Sequence, residues 1–326
     1  MKRSQSRVLI VGAGIAGLLA AVTLQRAGVS VKVLEKGRGF GGRMATRRMA
    51  GGRLDHGAQF FTVRTPEFGV WVEEWLEKGW IREWFREAPW DSTPGGHPRY
   101  VGISGMTEVP KGLGAELDVE RSVRVESTRW DGNRWRVKVE NGETYETDTL
   151  IVTAPVPQAV ALLDGSRISL PAHDWTAIQA VGYEPCLTAL LVLDGPSGLP
   201  EPGGVKLSGE PIEWLGDNTR KGISPGVSTV TVHSTPAFAR EYWDAPDDER
   251  LPLLQEAAEV HLGSTVVEGS VHRWKFNVPL RGLDCGYYWS SEYSLGLAGD
   301  GFGGPRVEGS AVSGLKLGQF LVSECL

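Results

Sequence analysis

Three glycines at Gly12, Gly14 and Gly17, spaced G-x-G-x-x-G, and an acid at Glu35 are the residues of this chain whose types and spacing point most directly to chemistry. Together they can hold a dinucleotide. The first glycine permits a tight turn, the second lets the backbone approach a pyrophosphate, and the third brings helix and strand into close packing. Unpaired N–H groups at the helix start attract the phosphates, and an acid about 20 positions on accepts hydrogen bonds from a ribose. A ribose 2′-phosphate would be repelled by Glu35.

Two later stretches extend this set. In "EKGRGFGGRMAT", Gly41 and Gly42 allow a second approach to the dinucleotide and Arg43 can neutralise a phosphate, whereas Arg38, Arg47 and Arg48 read as solvated loop charges. In "GLAGDGFGG", Asp300 follows a strand, where a carboxylate can accept a hydrogen bond from a ribityl hydroxyl. A helix beginning near Arg306 or Val307 would aim its N-terminus at the far end of a long cofactor. A reduced flavin carries negative charge near N1 and O2, and a positive dipole end there raises its reduction potential. The first fingerprint alone admits NAD or FAD.

Elements must position these groups. "RVLIV" is a β-branched run suited to a doubly buried strand; Leu18, Leu19, Ala21, Val22 and Leu24 give a helix ending near Gly28; "VSVKVLE" is a second strand. The same stretch, preceded by Met1, Lys2, Arg3 and Arg7, could pass for an export signal, but a signal has no use for an acid at Glu35. Residues from about Thr65 to Trp90 read as helical, and "DSTPGGHPRY" as a turn-rich connection. "DGN" between alternating runs predicts a hairpin, and "TLIVTAP" a buried strand returning to the first sheet. A helix is expected near Asp247 to His261, and an amphipathic helix after Arg306. The expected layout is a discontinuous nucleotide domain of residues 1–65, 100–156 and 271–326, with a substrate domain of residues 66–99 and 157–270 inserted in it.

Composition narrows the partners. The chain has 326 residues and a formal net charge of −6 without a long basic run, which argues against nucleic acid or an anionic membrane. No apolar segment after the first strand–helix–strand unit is long enough to span a bilayer. Three cysteines without C-x-x-C spacing and six scattered histidines predict neither a disulfide framework nor a metal site, and suit a reducing, cytoplasmic location. Of the twelve tryptophans, Trp71, Trp75, Trp80 and Trp84 are expected at the join of two lobes or around a flat ligand. "GLGAEL" at Gly112 lacks both a third glycine and a preceding strand, so a second nucleotide fingerprint is missing and a substrate would reduce the cofactor directly.

The stretches "VGAGIAGLLAA", "LEKGRGFGGRMATRR", "LDHGAQFFTVR" and "GDGFGGPRVEGSAVSG" together resemble the two-dinucleotide-binding-domain flavoproteins that include the amine oxidases, and more narrowly the renalase-like flavoproteins of bacteria. "YVGISGM", "IEWLGDNTRKG", "VHSTPAFAREYW" and "HRWKFNVP" follow in that subgroup's order, so the likeness spans nearly the whole chain. It implies an α/β fold: a Rossmann-like FAD-binding lobe with an inserted substrate lobe of mixed sheet plus helices. It implies non-covalent FAD held by Gly12, Gly14, Ile15, Ala16, Gly17, Glu35, Lys36, Gly42, Arg43, Met44, Gly57, Ala58, Gln59, Phe60, Val123, Asp300, Arg306, Val307 and Glu308. Phe60 or Phe61 would lie near the substrate, with Asn218 and His233 in the pocket; the residues alone equally allow His233 to be a satisfied structural histidine. Pro305, before the turn over the flavin, departs from the subgroup's pattern.

The resemblance implies hydride transfer from a dihydronicotinamide isomer, a 2- or 6-dihydro form of NAD(P), to flavin N5, followed by reoxidation by dioxygen to give NAD(P)+ and hydrogen peroxide. A flavin amine oxidase is the nearest alternative, with Tyr287, Tyr288 and Trp289 as aromatic guides and Lys206 or Lys275 as the lysine. A flavin hydroxylase, a carotenoid-type desaturase and a non-catalytic FAD-binding protein complete the field. The expected partners are a small-molecule donor, either dihydronicotinamide dinucleotide or amine, and dioxygen; oligomeric state is left open.

Overall fold

The computed structural model describes residues 6–88, 90, 91 and 93–324. The chain divides into two compact units. The first takes the residues up to Gly42, Pro110–Gly182 and those from Pro279 onward; the second takes Arg43–Val109 and Tyr183–Val278.

The first unit is built on an eight-stranded sheet. Its parallel centre runs, in spatial order, Leu295–Leu297, Thr144–Val152, Ser6–Val11, Val31–Glu35 and Asp118–Arg121. Val8 faces Thr149 on one side and Val31 on the other, and Val11 faces Val152 and Leu34. Val31–Glu35 is buried at every position, as a strand covered on both faces must be. The helix Ile15–Arg26 is buried nearly all round because the sheet lies on one side and the helix Val307–Glu324 packs along another. That second contact depends on a small residue: a Cβ on Gly314 would stand 1.9 Å from the Ala16 carbonyl oxygen. The expected hairpin forms between Val125–Trp130 and Trp135–Val139, with the Asp131 carboxylate accepting from the Asn133 and Arg134 N–H groups in the turn.

The second unit carries a five-stranded sheet in the order Gly204–Lys206, Ile212–Asp217, Thr229–Ser234, Tyr183–Leu193, Val266–Pro279. Alternation gives it two unlike faces. Leu187, Ala189, Leu191, Val230 and Val232 pack in a core with Phe238, Leu254 and Ala258 of the helices Pro236–Glu241 and Asp247–Glu259. The opposite face presents Thr229, Thr231 and His233, and His233 lies in register between Thr188 and Trp214. Two ribbons complete the unit, Thr46–Met49 with Gly52–Asp55 and Ile81–Phe85 with Arg99–Gly102.

The expected long helix from Thr65 to Trp90 is shorter in the structure. It runs Pro66–Glu77, burying Phe68, Trp71 and Trp75, and Gly79 then takes φ +65° and reverses the chain into the strand Ile81–Phe85. Glutamates and tryptophans on both sides of Gly79 disguise the change from helical to strand alternation. Among the described residues no helix is long and apolar enough to cross a membrane, and no cluster of histidine, cysteine or carboxylate groups is placed to hold a metal.

Candidate functional site

In the first unit the glycine turn sits at the carboxyl ends of the parallel strands. Gly12 has φ +112°, which excludes a side chain without strain, and its N–H donates to the Leu34 carbonyl. A Cβ on Gly17 would lie 2.0 Å from the Gly12 carbonyl oxygen, so the helix can begin this close to the strand only with glycine there. The helix opens at Gly14 without a side-chain cap, which leaves its first N–H groups for a ligand. A Cβ on Gly14 or Gly42 would meet nothing within 4 Å, so the face of the turn is open. Gly41 donates to the Ala13 carbonyl and bridges to Gly14, which brings the second glycine cluster onto the first.

Glu35 ends the second strand with its carboxylate already oriented. One oxygen accepts from Ala13 N at 2.8 Å and the other from Gly37 N at 2.6 Å, and each keeps a lone pair for a ribose hydroxyl. Val123 N donates to the Glu35 carbonyl, and Lys36 donates to Gln158. Three strands away, Asp300 opens the short helix Asp300–Gly303 just beyond Leu295–Leu297 and is buried, as is Glu308 in the first turn of Val307–Glu324. Thus Gly12, Gly14, Ile15, Ala16, Gly17, Glu35, Lys36, Gly42, Val123, Asp300, Arg306, Val307 and Glu308 all belong to one unit, ranged along the carboxyl ends of its sheet. An extended dinucleotide fits this arrangement: an uncapped helix start and an open glycine face for phosphates, with an oriented carboxylate for a ribose.

Arg43, Met44, Gly57, Ala58, Gln59, Phe60, Asn218 and His233 belong to the second unit. Arg43 donates to the Phe276 and Asn277 carbonyls at 3.2 and 2.9 Å, its own carbonyl accepts from Ala58 N, and Met44 is buried. Gln59 joins a network below the polar sheet face. Its Nε2 donates to the Asp55 carbonyl at 2.6 Å and the Gly57 carbonyl at 3.0 Å, and lies 3.4 Å from His233 Nε2. Its Oε1 accepts from Lys221 Nζ at 2.9 Å, and Lys221 also donates to Asp55 Oδ2 at 3.2 Å. Both Lys221 and Asp55 are fully buried. Asn218 is engaged here too: its Oδ1 accepts from Asp55 N at 3.3 Å and its Nδ2 donates to Thr231 Oγ1 at 3.0 Å.

The environment acts on the bases. Burial lowers the Lys221 ammonium below its ordinary range, opposed by the charge of Asp55. Burial, then the charge of Lys221, pushes His233 down to about 4. Burial also pushes His56 down to about 3, helped by His272 and Arg47; its ring stacks on Trp274 with centroids 5.1 Å apart.

Around Phe60 the surface is aromatic. Trp84, Phe85 and Trp214 have ring centroids 6.5, 6.1 and 5.8 Å from it, and the Arg99 guanidinium lies 5.5 Å from the same ring. Arg99 is paired with Asp91 at 2.7 Å, and Lys221 Nζ stands 5.0 Å over the ring of Trp84. Lys206 and Lys275, the lysines singled out in the sequence, are exposed. Sequence reasoning passed over Lys221 and Asp55: each sits in a polar stretch, and only the pairing of the two across the fold marks them.

Comparison with known proteins agrees with this architecture. The NAD(P)-binding Rossmann-like domain pattern matches residues 10–75, and the pattern of the flavin containing amine oxidoreductases matches residues 77–282. Renalase from Mus musculus is 30% identical over 294 residues, 83% of this chain and 85% of the relative. Hydroxyneurosporene desaturase from Cereibacter sphaeroides is 41% identical over 64 residues, 20% of this chain and 13% of the relative. Among solved structures, putrescine oxidase bound to putrescine superposes with a TM-score of 0.74 at 16% identity, over 98% of this chain and 99% of the other, a likeness of fold. With a family pattern over more than half of its length and a relative 30% identical across 83% of the chain, the chain belongs to the flavin-containing amine oxidoreductases and is a renalase-like, FAD-dependent oxidoreductase.

Proposed function

We propose that the chain oxidises a dihydronicotinamide isomer, a 2- or 6-dihydro form of NAD(P), releasing NAD(P)+ and hydrogen peroxide. Non-covalently bound FAD supplies the chemistry: a two-electron acceptor for the hydride at N5, which dioxygen and a solvent proton then restore. In this reading the Gly12 to Gly17 turn and the helix start hold the pyrophosphate, Glu35 the ribose and Asp300 a ribityl hydroxyl, with Arg306, Val307 and Glu308 at the far end of the cofactor. Phe60 offers its ring to the flat donor, and His233 and Asn218 shape the polar side of the pocket.

The observation that carries the reading is the state of the charges near Phe60. Lys221 is paired with Asp55, Arg99 with Asp91, and His233 is pushed down to about 4, so it stays uncharged at neutral pH. None of these is poised to take a proton from a substrate. An aromatic cluster whose neighbouring cations are paired suits a donor whose reaction needs close approach, at about 3 to 3.5 Å, more than it needs an acid or base. It also suits a product ring that becomes cationic.

Amine oxidation is the second reading, and Lys221 over Trp84 beside Phe60 favours it, since a buried lysine next to aromatic rings offers both parts that chemistry uses. An anaerobic stopped-flow mix of the yellow protein with 6-dihydro-NAD, NADH and benzylamine in parallel, followed at about 450 nm where oxidised flavin absorbs, separates the two. Rapid bleaching by the dihydro isomer alone, with peroxide on readmitting air, is the expected result; bleaching by benzylamine instead would overturn it.

A further inference from the structure

The proposed reaction leaves Lys221 without a task, although it is completely buried. Its ammonium donates to Asp55 Oδ2 at 3.2 Å and Gln59 Oε1 at 2.9 Å and stands 5.0 Å from the centre of the Trp84 ring. A buried ion pair is costly to assemble and is weak evidence of a stabilising role, so its presence here calls for another account.

The bond to Gln59 supplies one. A side-chain amide can be turned either way, but here both ends are dictated. The ammonium requires the oxygen on its side, and the carbonyls of Asp55 and Gly57 require the NH2 on theirs. The NH2 group therefore faces His233 Nε2 at 3.4 Å with its two N–H bonds directed to those carbonyls, and because an amide nitrogen accepts no hydrogen bond, a proton on that ring nitrogen would find no acceptor there. The remaining neighbours act in the same sense or weakly. Lys221 repels an imidazolium; His56, on the segment that follows Asp55, is itself pushed down to about 3; the flanking strands present Thr188 and Trp214, which carry no charge. Only the His56 backbone, which accepts from a ring N–H, acts the other way; with Nε2 facing the Gln59 NH2, a single ring proton is left to Nδ1.

We propose that Lys221 is a positioning residue: acting through Gln59 and its own charge, it holds His233 as the neutral tautomer with the proton on Nδ1. Asp55 anchors the ammonium beside Gln59, and a neutral His233 adds no positive charge to oppose the one that appears on a nicotinamide ring as hydride leaves. This significance for catalysis rests on the dihydronicotinamide reading; the coupling of Lys221 to His233 does not.

The test follows the imidazole directly. In holoenzyme labelled with 13C-histidine, the ring Cε1–H signal of His233, assigned by its loss in His233→Gln, is followed from pH 5 to 8.5 in the parent, in Lys221→Met, in Lys221→Arg and in the double variant Asp55→Asn with Lys221→Met. The double variant removes both charges and so stays informative if the single one fails to fold. The parent signal is expected to stay flat above pH 5, the Lys221→Met and double-variant signals to titrate about one pH unit or more higher, and Lys221→Arg to follow the parent. The acid limb of the flavin-reduction rate should move by the same amount. A parent His233 that titrates at its ordinary value, or signals that titrate alike in the parent and both charge-deleted proteins, would overturn the proposal. Failure of every dihydro isomer to reduce the parent flavin would overturn the catalytic significance alone, because the imidazole titration still decides the coupling.

Discussion

His56 and His233 show how single side chains tie this fold to pH. Both are held below the ordinary histidine value of 6.5, to about 3 and about 4, chiefly by burial. Between pH 6.5 and 4 an unfolded chain takes up protons on these two rings that the folded chain refuses. The unfolded state thus binds more protons, and stability rises with pH across that window and falls as the solution is acidified. The slope approaches about 1.4 kcal/mol per pH unit for each histidine once the pH is well below 6.5. Urea midpoints measured at pH 7.5, 6 and 5 should therefore drop progressively; equal midpoints at all three would show that the two rings protonate freely in the folded state. The unfavourable slope is a cost of burying uncharged imidazoles.

Elements carry the nucleotide turn, and they were the most legible part of the sequence. Glycine spacing, a β-branched run and an acid after a second strand each report a local backbone requirement, and Gly12, Gly17 and Glu35 occupy the positions those requirements imply. The strand Ile81–Phe85 was hidden because its composition matches the helix before it, and only the reversal at Gly79 tells them apart. The Lys221 and Asp55 pair was hidden for another reason: its partners are 166 positions apart, and nothing local requires either to be buried. One element contact yields a sharp prediction. Gly314 meets the Ala16 carbonyl, so Gly314→Val must push the helix Val307–Glu324 away from the helix that opens the phosphate turn. Overpacking of this kind costs about 1–3 kcal/mol, and the displaced helix start should also release FAD. A lowered unfolding midpoint together with flavin fluorescence appearing in the filtrate is the expected pair of results; full FAD retention at unchanged stability would show that the helices have room to spare.

At the scale of the whole molecule, neither unit is a continuous piece of chain: the first is assembled from three segments and the second from two. The chain passes from one unit to the other after Gly42, Val109, Gly182 and Val278. Each unit therefore closes through contacts between residues far apart in sequence, which must all form before the fold is stable. A ligand held by the folded chain and not by the unfolded one adds to stability by mass action, about 2.7 kcal/mol at a hundredfold excess over its Kd. Stripping FAD should lower the thermal midpoint, and adding it back should raise the midpoint with the logarithm of its concentration. A midpoint indifferent to added FAD would mean that the cofactor is held equally by folded and unfolded chain.

The packing of Val307–Glu324 on Ile15–Arg26 has a consequence for synthesis. A ribosome adding about 5–20 residues per second makes the helix that opens the phosphate turn long before the one that covers it, and the earlier helix waits for an interval on the order of 15–60 s with an apolar flank bare. Lasting hold on the cofactor therefore awaits synthesis of Val307–Glu324. A message cut short before Val307 would yield a chain with its glycine fingerprint intact and no lasting grip on flavin.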